Sequence, residues 1–282
     1  MPEPTSLMDV HQVQANGTIL HTETRGHGPA VLLIAGAGGD AAELAGVADA
    51  LADAFCVTTY DRRGNSRSPR PAGWAATSLA EQAAAAAAAA LLSALGQQPA
   101  VVVGTSAGGS IALEAALRHP EAVRAAIVHE PPILAGTADP QTVTAGLGAM
   151  IQQGMTAGGP PAAMESFLRW AAGDAAFEAI DPAERNRYVG NGEVFFGVEQ
   201  AAFMAYAPAV EALAGAQVPI LAAASSASRD LASPHHFLYQ AASWLARQLG
   251  TDLVEVPGGH MAYLTDPAAV AEGLRPLLRA LS

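Results

Sequence analysis

Residues 101 to 109 read Val101-Val102-Val103-Gly104-Thr105-Ser106-Ala107-Gly108-Gly109, an apolar run that enters a Gly-x-Ser-x-Gly turn. The run predicts a buried strand, and the residues from 111 to 118 predict a helix after it. Glycines flank the serine because only a hydrogen side chain leaves room for so sharp a turn from strand to helix. A serine at the tip of such a turn is strained and held toward solvent. Ser106 is therefore the candidate nucleophile, and the Ala107 N–H at the start of the helix is a candidate donor to developing negative charge.

The rest of the chain alternates between short apolar runs and helical segments. Buried strands are predicted at residues 31–35, 55–60, 100–104, 125–129, 219–224 and 252–256. Alternating segments at 11–14 and 18–24 flank Asn16-Gly17 and predict a leading hairpin. This order predicts an α/β fold: a twisted, mostly parallel eight-stranded sheet with helices on both faces and ligands at the carboxyl ends of the strands.

The alternation stops between residues 131 and 216, where helical segments rich in Gly, Pro and bulky apolar residues intervene. We interpret residues 1–130 and 217–282 as the core and residues 131–216 as a helical lid inserted after the sixth strand. This region holds five of the seven Phe and four of the seven Met. They predict either an apolar wall over the site, which would favour acyl or aromatic substrates, or the hydrophobic core of the lid itself.

Two further motifs, together with the Ser106 turn, resemble the α/β-hydrolase superfamily over nearly the whole chain except the lid. Residues 31–39, Val-Leu-Leu-Ile-Ala-Gly-Ala-Gly-Gly, resemble its third strand and oxyanion loop, which implies the Ala37 N–H as an oxyanion donor. Many members carry histidine where Ala35 stands. Residues 60–68, Tyr-Asp-Arg-Arg-Gly-Asn-Ser-Arg-Ser, resemble the motif that closes the fourth strand, with Ser66 in place of a usual glycine and a structural role.

A serine hydroxyl needs a neighbouring base to take its proton. His260 follows the last predicted strand and precedes the final helix, where this family carries its base. Other histidines have structural interpretations in the hairpin, in a turn, at a helix end or on a surface helix; these are His11, His21, His27, His119, His235 and His236.

The position of the triad acid is open on sequence alone. Most family members carry the acid after the seventh strand, where Asp230 comes late, lacks the usual preceding glycine and could instead pair with Arg229. Some relatives, including haloalkane dehalogenases, carry it at the end of the sixth strand, where Glu130 precedes two prolines. We favour Glu130, which could alternatively tether the lid, and keep Asp230 as the other candidate.

Composition restricts partners and cofactors. The formal charge of −12 argues against nucleic acid and anionic membranes. All 14 basic residues are Arg, which excludes phosphate-loop, Schiff-base and kinase-type lysines, and the single Cys56 can form no internal disulfide or multi-cysteine metal site. The alanine-rich run 83–90 predicts a helix too short to span a membrane. We expect a cytoplasmic monomer or homodimer that acts on a small molecule with no metal or organic cofactor.

Three other functions are compatible with parts of the sequence. The residues from Gly36 to Ala41 match Gly-x-Gly-x-x-Ala, with Asp61 as a possible ribose ligand, but a dinucleotide fold leaves the serine turn and the late Gly-Gly-His unexplained. A non-catalytic small-molecule receptor usually lacks a triad member. The same triad also suits C–C bond hydrolysis, perhydrolysis or a lyase/cyclase step, whereas dehalogenases need a carboxylate where Ser106 stands. We expect a carboxylesterase-like serine hydrolase that cleaves an ester, lactone or thioester of a small, mostly apolar substrate through an acyl-enzyme on Ser106.

Overall fold

Eight strands form one sheet in the computed structural model, which describes residues 8–15, 17–70 and 89–282. The sheet order is β1-β2-β4-β3-β5-β6-β7-β8. Their bounds are β1 Asp9–Ala15, β2 Thr18–Arg25, β3 Ala30–Ile34, β4 Cys56–Tyr60, β5 Ala100–Thr105, β6 Val123–His129, β7 Ile220–Ser225 and β8 Val254–Val256. The β1–β2 and β2–β4 pairs are antiparallel and the others parallel, which confirms the predicted mostly parallel sheet. Asn16 of the predicted hairpin turn and residues 83–88 of the alanine-rich run lie outside the described residues.

Helices cover both faces of the sheet because the central strands are apolar on both sides. The core helices are α1 Ala45–Leu51, α2 Ala89–Ala94, α3 Ala107–Arg118, α10 His236–Leu249, α11 Ala262–Thr265 and α12 Pro267–Leu281. Alternate residues of β3 separate the two cores: Leu32 and Ile34 pack in the cluster that contains α3 and α10, whereas Val31 and Leu33 pack with α1 and α12. Every residue of β5 is buried, so this strand is the centre of the fold.

Six α-helices separate β6 from β7, within residues 131–216, which we call the insertion. They are α4 Pro140–Ala172, α5 Asp174–Ala179, α6 Pro182–Gly190, α7 Gly192–Val194, α8 Gln200–Met204 and α9 Val210–Ala214. Helix α4 kinks at Gly158 and Gly159, directly before Pro160 and Pro161, because proline cannot continue the helical hydrogen-bond ladder. Among the described residues, no helix has both the length and the apolar character that crossing a bilayer requires.

The strand register determines where the site lies. Ile34 at the end of β3 pairs beside Gly104 of β5, and Thr105 at the end of β5 pairs beside His129 at the end of β6. The residues that follow these strands therefore meet at one edge of the sheet. They are the loop 35–39, Ser106 and Glu130.

Candidate active site

Ser106 occupies the strained turn that the sequence predicts. Its backbone has φ 54° and ψ −124°, a left-handed conformation that a non-glycine residue adopts only when its surroundings enforce it. A Cβ on Gly104 would collide with the Gly108 carbonyl, and a Cβ on Gly108 would collide with the Ile34 carbonyl. Helix α3 begins at the next residue, so Ser106 lies at the positive end of a 12-residue helix.

Glu130 and His260 are in direct contact. The Glu130 Oε2 atom lies 2.6 Å from His260 Nδ1, and Glu130 Oε1 accepts the backbone N–H of Ser225 at 3.0 Å. Glu130 has φ 45°, a second strained backbone at this edge, and its side chain is fully buried. Asp230, the alternative acid, is exposed and accepts the backbone N–H of Ala232 at 2.9 Å. The structure thus brings Glu130 to His260 and leaves Asp230 at the surface.

The electrostatics around Glu130 favour its ionised form. Burial opposes ionisation, but interactions with His129 and His260 outweigh this effect and hold the Glu130 pKa below its ordinary value. Because an ionised carboxylate can only accept, His260 Nδ1 donates in the 2.6 Å hydrogen bond. This leaves Nε2 of a neutral His260 as the nitrogen that can take a proton.

Sequence reasoning missed His129, the last residue of β6. Burial lowers the pKa of His129 to about 4, so its imidazole is neutral near pH 7. Ser225 Oγ donates to the Gly259 carbonyl at 2.9 Å and therefore accepts from His129 Nε2 at 3.0 Å. His129 thereby connects β6 to the loop that carries His260. The sequence feature that could have identified His129 is its position at the end of an apolar run, directly before Glu130.

The position of His235 differs from the predicted one. The sequence places it on a surface helix, but it is half-buried at the start of α10. Its ring centroid lies 5.1 Å from that of His260 and 4.7 Å from that of Trp170. Burial lowers the His235 pKa to about 4, and the neighbouring His260 makes a smaller contribution in the same direction. A neutral imidazole therefore packs beside the candidate base.

The loop 35–39 approaches Ser106 closely. A Cβ on Gly36 would lie 3.2 Å from Ser106 Cβ, and the Gly36 N–H donates to Glu43 Oε1 at 3.2 Å. Burial raises the pKa of Glu43, a carboxyl group that sequence reasoning also missed. Ser66 has φ 49°, which explains why a glycine is usual there, and its Oγ donates to Asp40 Oδ2 at 2.7 Å.

One pocket contains Ser106, His260 and both candidate oxyanion donors, Ala37 and Ala107. Apart from Ser106, His260 and Gln200, its lining side chains are apolar; the others are Pro132, Leu134, Leu147, Ile151, Phe167, Trp170, Phe195, Phe203, Met204, Phe237 and Leu238. Phe177 instead lies in the interior of the insertion, with the Arg169 guanidinium 4.3 Å from its ring centroid. The aromatic residues of the insertion thus lie both in the pocket lining and in the interior of the insertion. No hydrogen bond joins Ser106 to His260 within the described part of the chain, and such bonds often tighten only when substrate binds.

A family model described as the alpha/beta hydrolase fold matches residues 29–267, so the chain belongs to the α/β-hydrolase fold family. The uncharacterized hydrolase YraK of Bacillus subtilis is 32% identical over 285 residues, which cover 94% of each chain. Among solved structures, a thermophilic esterase from Thermogutta terrifontis superposes with a TM-score of 0.73 at 20% identity over 97% of this chain and 99% of that one. The enol-lactonase from Burkholderia xenovorans gives 0.72 at 20% identity over 94% and 98%. These likenesses confirm the fold and the resemblance that the motifs predict.

Proposed function

We propose that this chain is a serine hydrolase that cleaves an ester, lactone or thioester of a small, mostly apolar substrate. Ser106 is the nucleophile, His260 the general base and Glu130 the acid that orients the imidazole. The observation that carries the proposal is the buried 2.6 Å contact between Glu130 and His260, whose imidazole lines the pocket that also contains the strained Ser106. A buried carboxylate, an imidazole and an activated hydroxyl in this order are the parts that acyl transfer needs.

The mechanism follows from these positions. His260 Nε2 takes the Ser106 proton as Oγ attacks the carbonyl carbon, and Glu130 stabilises the imidazolium that forms. The backbone N–H groups of Ala37 and Ala107 stabilise the oxyanion of the tetrahedral intermediate. His260 then returns its proton to the leaving alcohol or thiol, and an acyl-enzyme forms on Ser106. A water molecule, deprotonated by His260, hydrolyses this ester and restores the serine.

The pocket chemistry supports the substrate class. Its walls offer apolar contacts from the core and from the insertion, and Gln200 is the polar side chain that the insertion adds to the lining. Such a surface suits alkyl or aromatic acyl groups, and no Arg is among the described residues that line it. We assign residues 131–216 as the lid, because this segment supplies most of the apolar lining.

The test is ester hydrolysis by Ser106→Ala, with Ser110→Ala as the matched control. Ser110 lies four residues further along α3, is buried, and its Oγ has no hydrogen-bond partner among the described residues. Across p-nitrophenyl esters, lactones and thioesters of graded length, Ser106→Ala should lose at least about 10⁴ in kcat while Ser110→Ala keeps wild-type kcat. Retained turnover in Ser106→Ala would reject the proposal. Cleavage of a C–C bond substrate in preference to every ester would favour the alternative reaction.

A further inference from the structure

Two side chains and one backbone N–H hold carbonyl groups of the loop 35–39. Arg62 Nη1 donates to the Ala35 carbonyl at 2.9 Å and also to the Gly36 carbonyl, while the Arg62 backbone N–H donates to the Gly39 carbonyl at 2.8 Å. Asn191 Nδ2 donates to the Gly38 carbonyl at 2.6 Å. Four of the five carbonyls in the loop are thereby held from outside.

The hydrogen bond to the Gly36 carbonyl sets the direction of the next N–H. The peptide between Gly36 and Ala37 is trans, so the Ala37 N–H points opposite to the carbonyl oxygen that Arg62 holds. The Gly39 N–H also donates to this oxygen, at 3.1 Å. Ala37 lines the pocket together with Ser106, so the Arg62 side chain helps to fix the direction of the candidate oxyanion donor.

The charge that balances Arg62 comes from the insertion. Arg62 Nη2 lies 2.6 Å from Glu199 Oε2, both side chains are fully buried, and Asn65 Nδ2 donates to Glu199 Oε1 at 3.3 Å. Glu199 ends a π-helical turn, Phe195–Glu199, whose first residue lines the pocket. A buried guanidinium without its carboxylate is strongly destabilised. The position of Arg62 therefore depends on how the insertion is seated.

We propose that Arg62 is a positioning residue for the oxyanion hole and that Glu199 couples this hole to the docking of the insertion. One turn of the insertion then supplies both a substrate contact, through Phe195, and the carboxylate that holds the oxyanion loop in its active shape. This inference rests on the proposed acyl transfer at Ser106. It assigns the Arg62–Glu199 pair a role in transition-state stabilisation beyond stability of the fold.

The test compares Arg62→Met and Glu199→Gln with the wild-type enzyme. Arg62→Met should lower kcat by about 10² to 10³, as removal of an oxyanion donor does, and Glu199→Gln by about tenfold, with KM changed less than about threefold. The Kd of butylboronic acid, which adds to Ser106 Oγ and places a tetrahedral anion in the hole, should rise in parallel with the loss in kcat/KM. Rates are expressed per folded molecule, from urea unfolding of each variant.

Arg25→Met is the control, because Arg25 is also buried and paired with a carboxylate but lies beside Val57, toward the opposite end of β4 from the site. It should lower stability without changing kcat or boronate affinity. If Arg62→Met does not fold, the kcat and boronate affinity of Glu199→Gln test the proposal. This variant keeps the Arg62 guanidinium and the shape of the Glu199 side chain. If the folded variants keep wild-type kcat and boronate affinity and Ser106→Ala is inactive, the proposed coupling is wrong but the acyl-transfer proposal stands. Activity in Ser106→Ala would instead reject the acyl-transfer proposal itself.

Discussion

Glu130→Gln replaces one oxygen of the candidate triad by an NH₂ group. The surrounding hydrogen bonds determine how the new amide is oriented. In the wild type, Glu130 Oε1 accepts the Ser225 N–H at 3.0 Å and Oε2 accepts from His260 Nδ1 at 2.6 Å. The amide oxygen of the variant must keep the buried Ser225 N–H satisfied, because an unpaired buried donor costs about 1–3 kcal/mol. The amide NH₂ then faces His260 Nδ1, which must become an acceptor.

That exchange places the imidazole in the wrong tautomer. His260 would carry its proton on Nε2, where it could not take the proton of Ser106. By analogy with other triads, we expect kcat to fall by roughly 10⁴, which corresponds to about 5.4 kcal/mol of transition-state stabilisation. The assay is steady-state hydrolysis of the best p-nitrophenyl ester from the screen, with the folded fraction measured by circular dichroism.

Asp230→Asn is the matched control, since Asp230 was the other candidate acid and its carboxylate is exposed. It should keep kcat within about twofold of wild type. A loss of less than tenfold in Glu130→Gln, or a large loss in Asp230→Asn, would refute the assignment of Glu130 as the residue that orients His260.

Two further changes probe the site more broadly. Burial raises the Glu43 pKa in the folded state, so the stability contributed at this group falls as pH rises above the ordinary Glu value of about 4.3. Glu43→Gln should match the wild type near pH 4 and become progressively more stable than it at higher pH; equal pH slopes in urea unfolding would contradict this. Phe195→Ala removes an aromatic wall of the pocket and should raise the kcat/KM ratio of long to short acyl esters by about tenfold, whereas an unchanged ratio would place the acyl group elsewhere.

Short-range signals in the sequence predict the fold and the strained serine. The apolar runs predict the strands. Glycine is required on both sides of Ser106 because a side chain there would collide with the Gly108 or the Ile34 carbonyl. The apolar runs and the Gly-x-Ser-x-Gly pattern each lie within a short stretch of sequence, so they can be recognised without knowledge of tertiary contacts such as that between Gly108 and Ile34. The predicted mostly parallel sheet of eight strands is accordingly confirmed.

The acid and its supports depend on contacts that local sequence does not encode. Glu130 reaches His260 across 130 positions, and the Ser225 N–H that fixes its other oxygen comes from the strand after the insertion. Arg62 and Glu199 are separated by 137 positions, and neither has a local pattern that predicts its partner. Sequence alone therefore gave two candidate acids and no sign of the Arg62–Glu199 pair.

The roles of aromatic residues in the insertion depend on helix rotation. Phe195 lines the pocket, whereas Phe177 is buried against Arg169 and Arg185. Both residues are phenylalanines in helical segments, so the sequence alone predicts the same role for each. Only the packing of the helices on one another and on the core separates a residue that lines the pocket from one that is buried inside the insertion.

Covalent labelling tests the proposed nucleophile, Ser106, most directly. An alkyl fluorophosphonate reacts when an activated hydroxyl displaces fluoride at phosphorus, and intact-mass and peptide analysis locate the adduct. We expect one phosphonyl group per chain, attached to Ser106, with labelling abolished in Ser106→Ala and strongly slowed in His260→Ala. An unlabelled wild-type chain, or an adduct that persists in Ser106→Ala, would contradict the account.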